Sequence, residues 1–270
     1  MASRRAWEEM ARRLCAKAET LFDAATPPPT ALGQRDPAVV GLALLARTVH
    51  AARAVFLLLD NDHIVEARTI TRSVFENAMY AAALANKGSA FVEELLADDV
   101  SIRQKRANGL AAFFGDVRGD ADKKAALEAF RQQLIGEHGK PRGINMLNAA
   151  EAGGVSDAYI VYRELSTDAA HPSATSIDRH IVMPEDSERS FTLSGPPLVS
   201  EDEPAQTLAL LSMGLLYINV AVNQIVGGVG AGDDLRDLTR DYQALGQSIP
   251  PDRKAAADLE SETKEPSEPH

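Results

Sequence analysis

The sequence predicts a mainly α-helical fold, a multi-helix bundle with one small β-hairpin insertion. Three observations carry that expectation. Alanine and leucine, both strong helix formers, dominate the apolar residues, while aromatics supply only 5% of 270 residues. Between breaks rich in proline and glycine, apolar side chains recur at helical spacing. After His171-Pro172 the rhythm changes, and two short runs flank a set of polar turn residues.

The first helix is expected over residues 3–25, where Thr26-Pro27-Pro28-Pro29 stops it, because consecutive prolines cannot continue a helix. Asp36-Pro37 opens the second, with Asp36 as N-cap and proline at the first helical position. Val40, Leu44, Leu45, Val49, Ala52, Val55, Phe56 and Leu59 give it a broad apolar face, which ends near Asp60-Asn61. Asp62 is expected to cap a third helix. Its stripe of Ile64, Ala67, Thr71, Val74, Ala78 and Ala82 runs antiparallel to the second, since the link between the two is short. Lys87-Gly88-Ser89 ends it.

Residues 91–114 read as a fourth helix and 122–138 as a fifth, separated by a polar turn at 115–120. A short helix at 144–152 ends at Gly153-Gly154, and Ser156 is expected to cap the next one. Runs 180–183 and 190–193 form the hairpin. Ser200 and Glu203 then make a capping-box pattern ahead of a long apolar helix. A final amphipathic helix covers about 233–246. The organisation is thus an N-terminal helix and Pro-rich turn at 1–30, a bundle at 36–246 with the hairpin at about 179–194, and a disordered acidic tail at 250–270 rich in Pro, Glu, Ser and Lys. A chain of this length buries roughly 70% of its unfolded surface.

Charge and composition remove several function classes. A net charge of -11 argues against broad binding to nucleic-acid backbones, which needs a basic footprint, though it leaves room for a small basic pocket. The single cysteine, Cys15, forbids an intrachain disulfide and suits a reducing cytoplasm, where it reads as a packed small hydrophobe. No secretory signal is expected at the start, because Arg4, Arg5, Glu8, Glu9, Arg12 and Arg13 interrupt any apolar run. Residues 205–232 lack charge and reach the length of a membrane span. They contain Gln206, Asn219, Asn223 and Gln224 and have no flanking basic or aromatic anchors, so a soluble core helix is the preferred reading. Those amides need partners if buried, at a site built on the arginines of the third helix or in another subunit. No histidine pair and no cysteine cluster suggests a metal site, and no cofactor is expected. The glycines at 227–232 lack the Lys and Ser/Thr of a phosphate loop.

Two segments concentrate chemistry. Arg68, Arg72 and Glu76 stand at steps of four, along one shallow spiral beside the core stripe, bordered by Phe75 and Met79. Arg72 either pairs with Glu76 or Asp168 and holds two helices in register, or joins Arg68 in presenting forked donors to a small anionic ligand. The second segment runs through Tyr162, Arg163, Leu165, Ser166, Asp168, His171 and Pro172. Ser166 either lies on the helix or caps the residues after it, Thr167 and Asp168. His171, pushed from helical geometry by Pro172, is placed at a helix end, as a general base or acid or as a loop fastener. The candidate ligand site is Arg68, Arg72, Glu76, Tyr162, Ser166 and Asp168.

Arg72 and Glu76 on an early helix, followed by Tyr162-Arg163, Leu165-Ser166 and His171-Pro172, resemble a bacterial family of helical proteins of unknown function. The resemblance spans roughly residues 40–230. It implies a cytoplasmic α-helical domain with an inserted hairpin and no established activity. A looser similarity is to the HEPN superfamily, helical domains of toxins and defence systems. That similarity implies a metal-independent endoribonuclease in which His171 and Arg163 are catalytic, paired across a dimer. Here seven residues separate Arg163 from His171, against four to six in that pattern. The expectation is therefore a helical binding or regulatory protein with a polar Arg/Glu/His pocket, with the ribonuclease as the alternative. A homodimer is expected, because the apolar face of the second helix exceeds what one neighbour covers. Nucleic acid and membrane are disfavoured as partners.

Overall fold

Ser3 and Asp36 both do what N-cap positions require. In the computed structural model, which describes residues 2–27, 30–138, 142–169, 172–183, 190–228 and 232–247, the Ser3 side chain accepts from the Ala6 amide at the start of α1 (Arg4–Ala24). Asp36 Oδ1 accepts from Ala38 N at 2.8 Å, ahead of Pro37 at the start of α2 (Pro37–Asp60). There follow α3 (Ile64–Lys87), α4 (Ser89–Ala112), α5 (Ala121–His138), α6 (Met146–Gly153), α7 (Ser156–Ala169), the short α8 (Ala174–Asp178), strands β1 (Ile181–Val182) and β2 (Thr192–Leu193), α9 (Glu203–Ile225) and α10 (Gly232–Gly246). The two strands pair antiparallel with Ile181 opposite Leu193 and Val182 opposite Thr192. This is the mainly α bundle with a small hairpin that composition and periodicity predict. His171, the 250–270 tail and the hairpin turn at 184–189 lie outside the described residues, as does the side chain of Asp168.

Helix α3 is the hub, packing on α2, α9, α6 and α7. Small residues make this crowding feasible. A Cβ on Gly214 of α9 would stand 2.7 Å from Val74 Cγ1, and one on Gly153 of α6 would stand 2.6 Å from Ala82 Cβ. The backbones of α9 and α6 therefore run closer to α3 than any side chain allows, which is what an alanine-rich, aromatic-poor sequence can sustain. Trp7, Met10, Leu14 and Leu21 of α1 enter the same cluster as Leu45, Val49 and Val55 of α2, Val74 and Ala78 of α3, and Leu208, Leu211, Leu215 and Ile218 of α9. Each fully buried large apolar side chain contributes roughly 1.5–3 kcal/mol.

Helices α2 and α9 are both long and apolar enough to cross a membrane. In α9 the most apolar stretch is 72% buried within the chain, against 44% in α2. Asn219 of α9 is fully buried and donates to Leu14 O of α1 at 3.1 Å and to Leu215 O at 2.8 Å. Its partner is thus α1 and not the arginine site. Cys15 is buried, and desolvation together with the Glu19 carboxylate pushes its thiol up to about 11.

Four local expectations need correction. Asp62 does not cap α3: the N-cap is His63, with no side-chain bond. Asp62 instead has φ 59° and closes α2, with His63 N bonded to Leu58 O and Asp62 N to Leu59 O, the paired bonds of a Schellman turn. Ser156 is the first residue of α7, and the carbonyl of Val155 before it accepts from Ala158 N. The Ser200–Glu203 capping box does not form. Asp202 is the N-cap without a side-chain bond, and the Glu203 carboxylate is taken by Arg179 Nη1 at 2.9 Å. The polar turn expected at 115–120 begins as a π-helical turn at Phe113–Val117, with Arg118 N reaching back to Phe113 O.

Candidate functional site

The two segments singled out by sequence meet. Helix α7 lies along α3, seated by Phe75 and Met79 from α3 and Ala158 and Leu165 from α7, with Leu210 and Met213 of α9 closing the cluster. This apolar bed turns the polar stripe of α7 toward Arg72. Arg72 Nε donates to Ser166 Oγ at 2.8 Å, and Nη2 donates to the Tyr162 hydroxyl at 2.6 Å. Nη2 also lies 3.0 Å from Glu76 Oε1 one turn on. The guanidinium carbon sits 4.6 Å from the centroid of the Tyr162 ring, close enough for cation–π attraction. Tyr159 stacks beside Tyr162 with centroids 6.0 Å apart. Ser166 is held within α7 by donating to the Tyr162 carbonyl at 2.6 Å, so its oxygen is fixed before Arg72 arrives. It is an interior residue of α7 and caps nothing.

Arg72 remains reachable, with its side chain 22% exposed. Two of its five N–H donors are hydrogen-bonded, to Ser166 and Tyr162, and Glu76 adds an ion pair on the same side. The other terminal nitrogen, Nη1, has no acceptor among the described residues, and it is not shut off from solvent. Arg68, one turn earlier, is deeper. It is buried and holds Glu164 of α7 through Nη2 at 3.5 Å, with Glu164 itself exposed. Arg163 points elsewhere: its side chain is exposed and forms no ion pair among the described residues.

Sequence reasoning missed Tyr80. It continues the same spiral one turn past Glu76, and the step of four that picked out 68, 72 and 76 would have reached it. Burial, then the Asp98 and Glu76 carboxylates, push its hydroxyl up to about 12, with the Arg47 guanidinium pulling the other way. Its ring meets Phe91 edge-on at 5.7 Å. At the other end of α7, the Tyr217 hydroxyl of α9 donates to Asp157 Oδ2, and burial and that carboxylate push its ionisation well above the usual tyrosine range. No group of three or more His, Cys, Asp or Glu side chains suited to a metal ion occurs among the described residues.

Chemically, the cluster is a guanidinium clamped on one edge by neutral hydroxyls and one carboxylate, stacked on a tyrosine, with its far edge available. The profile of one family matches residues 38–189, more than half the chain and enough to include both halves of this cluster. The chain belongs to DUF5677, a family of unknown function. The DUF5677 match runs from α2 through β1 and stops short of α9, so it is narrower than the 40–230 span implied by the resemblance. No curated protein and no solved structure matches the chain.

Proposed function

We propose that this chain is a bacterial, cytoplasmic binding or regulatory module that receives a small anionic ligand at the seam of α3 and α7. One observation carries the reading: Arg72 is fixed by three partners on its Nε and Nη2 side, while Nη1 keeps two N–H donors uncommitted. A guanidinium held this way loses little freedom on binding, which favours recognition of a carboxylate or phosphate. The Tyr162 hydroxyl accepts from Arg72 and still has its own proton to donate. Tyr159 and Tyr162 offer a stacked aromatic wall to the ligand body. The buried free cysteine is in keeping with a cytoplasmic setting, and the bacterial setting rests on the family resemblance. A homodimer belongs to the same proposal, supported by Leu57, which stands exposed on apolar α2.

The test is thermal unfolding against a panel of small dicarboxylates and phosphate esters. Wild type is expected to gain stability from at least one of them. Arg72→Lys, which keeps the charge and loses the fork, is expected to lose that gain while its far-UV circular dichroism stays unchanged. A gain of equal size in Arg72→Lys would remove the pocket. RNA cleavage that persists in chelator and vanishes in His171→Ala would favour the endoribonuclease alternative instead.

A further inference from the structure

Helices α4 and α5 form an arm on the bundle. Phe91 and Val92 anchor the start of α4, the root of the arm, in a cluster with Ala83, Leu84 and Ala149. Helix α5 packs mainly on α4 and on the π-helical turn that makes the tip. Two helices alone cover only the seam between them. Val100, Gln104, Ala107 and Ala111 of α4 are buried at helical spacing along that seam, with Leu134 from α5. Leu110, Phe113 and Phe130 stay exposed outside it. At about 100° per residue, Leu110 and Phe130 are each offset by roughly a quarter turn from the seam stripe of their own helix, in the same rotational sense. In an antiparallel pair, equal offsets fall on the same flank. Arg106 and Phe113, one turn to either side of Leu110, extend that flank along α4.

Charge indicates what covers this flank. Residues 93–99, near the root, hold Glu93, Glu94, Asp98 and Asp99 without a base, and residues 103–106 hold Arg103, Lys105 and Arg106 without an acid. Some of these are satisfied within the chain: Asp99 pairs with Arg103, and Glu94 with Lys87. At the tip, Asp120 and Asp116 are likewise neutralised by Lys123 and Lys124. Lys105, Arg106 and Glu93 have no ion-pair partner among the described residues. An arm that is acidic at its root and basic further out is complementary to a second arm running the opposite way. We propose that the flank of Leu110, Phe113 and Phe130 is a homodimer interface, on which the arms of two copies pack antiparallel, tip toward root, as a four-helix bundle. A two-fold axis through the middle of the arm lets one self-complementary surface serve both copies. The proposal rests on the homodimer inferred above and gives it a surface distinct from Leu57 on α2.

Sedimentation velocity over a concentration series tests it. Wild type is expected to dimerise, and to do so more weakly as salt screens the charged ends. Leu110→Glu and Phe130→Glu are each expected to weaken association at least about thirtyfold, and Arg106→Glu about fivefold. Leu57→Glu is expected to leave it unchanged. A spin label at Val117→Cys, in a Cys15→Ala background, reads the orientation. Helix α4 has 24 residues and spans about 36 Å, so the two tips are expected more than about 25 Å apart. Labels in contact would mean parallel arms and would overturn the proposal. The label needs no change at the flank itself, so it decides the matter should an acidic variant fail to fold. A dimer lost in Leu57→Glu and kept in both Leu110→Glu and Phe130→Glu would overturn the arm interface and leave a homodimer on α2. Wild type that stays monomeric at every concentration would overturn the interface and the homodimer together, with ligand binding at Arg72 judged separately by Arg72→Lys.

Discussion

Arg72 and Tyr162, ninety residues apart in sequence, are joined by a 2.6 Å hydrogen bond and by stacking of the guanidinium on the ring. The bond and the stack depend on different atoms, so they can be separated. Tyr162→Phe keeps the ring and deletes the acceptor, and is expected to cost about 1 kcal/mol, below the range of roughly 1.5–3 kcal/mol for bonds to a charged donor because Arg72 is partly exposed. Tyr162→Ala removes both and is expected to cost more. Urea unfolding of both variants, with Arg72→Lys completing a double-mutant cycle, reads the coupling. If Tyr162→Phe and Tyr162→Ala prove equally costly, the stack contributes nothing.

The close approach of α9 to α3 makes a sharper prediction. Gly214→Ala would place a methyl 2.7 Å from Val74 Cγ1, with Phe75 Cδ2 at 3.8 Å behind it. Neither helix can retreat easily, since α3 is packed on several sides. The expected loss is about 1–3 kcal/mol, as for other overpacked cores. Val74→Ala in the same chain opens the space and is expected to recover part of that loss, although Val74→Ala alone destabilises. Denaturant midpoints of the two single variants and the double variant decide it. A double variant no more stable than the additive sum would mean that the contact is not the cause.

Asp62 shows where local sequence reasoning misleads. An aspartate just before a helical run matches the N-cap pattern, and an aspartate just after one is equally able to adopt the left-handed turn that closes a helix. The short link between α2 and α3 offered both roles, and its backbone bonds chose the second. Asp62→Gly is therefore expected to stabilise by about 0.5 kcal/mol by relieving positive φ at 59°. Loss of a cap would shift stability in the opposite direction, so the sign of the change in unfolding midpoint separates the two roles.

Much of the architecture was legible because its signals are local. Asp36-Pro37 marks the start of α2, Gly88 ends α3 with φ 56°, and the 3.6-residue rhythm locates α9. The pairing of Arg72 with Glu76 was legible for the same reason, being one turn apart. The illegible part depends on packing between distant segments. Nothing near Glu203 in sequence announces that Arg179 will claim its carboxylate. Nothing near Asn219 announces that the carbonyl of Leu14 will take its amide. The meeting of Arg72 with Tyr162 and Ser166 was an expectation from residue type alone, and only the apolar bed under α7 makes it a contact.

Tyr80 gives the pH dependence. Its hydroxyl is raised from the ordinary tyrosine value of 10.0 to about 12 in the fold, first by burial and then by Asp98 and Glu76. A raised value means that the folded state holds the proton more tightly than the unfolded chain. The associated stability is complete below pH 10 and is lost as pH climbs from 10 toward 12, where the unfolded chain ionises first. Tyr80→Phe cannot ionise, so its unfolding free energy is expected to fall less steeply than wild type across that window, with Cys15, Tyr217 and Tyr242, all raised in the fold, contributing to the remaining slope. Chemical denaturation at a series of pH values gives the comparison. Parallel curves for wild type and Tyr80→Phe between pH 10 and 12 would show that neither burial nor the Asp98 and Glu76 carboxylates raise the hydroxyl in the fold.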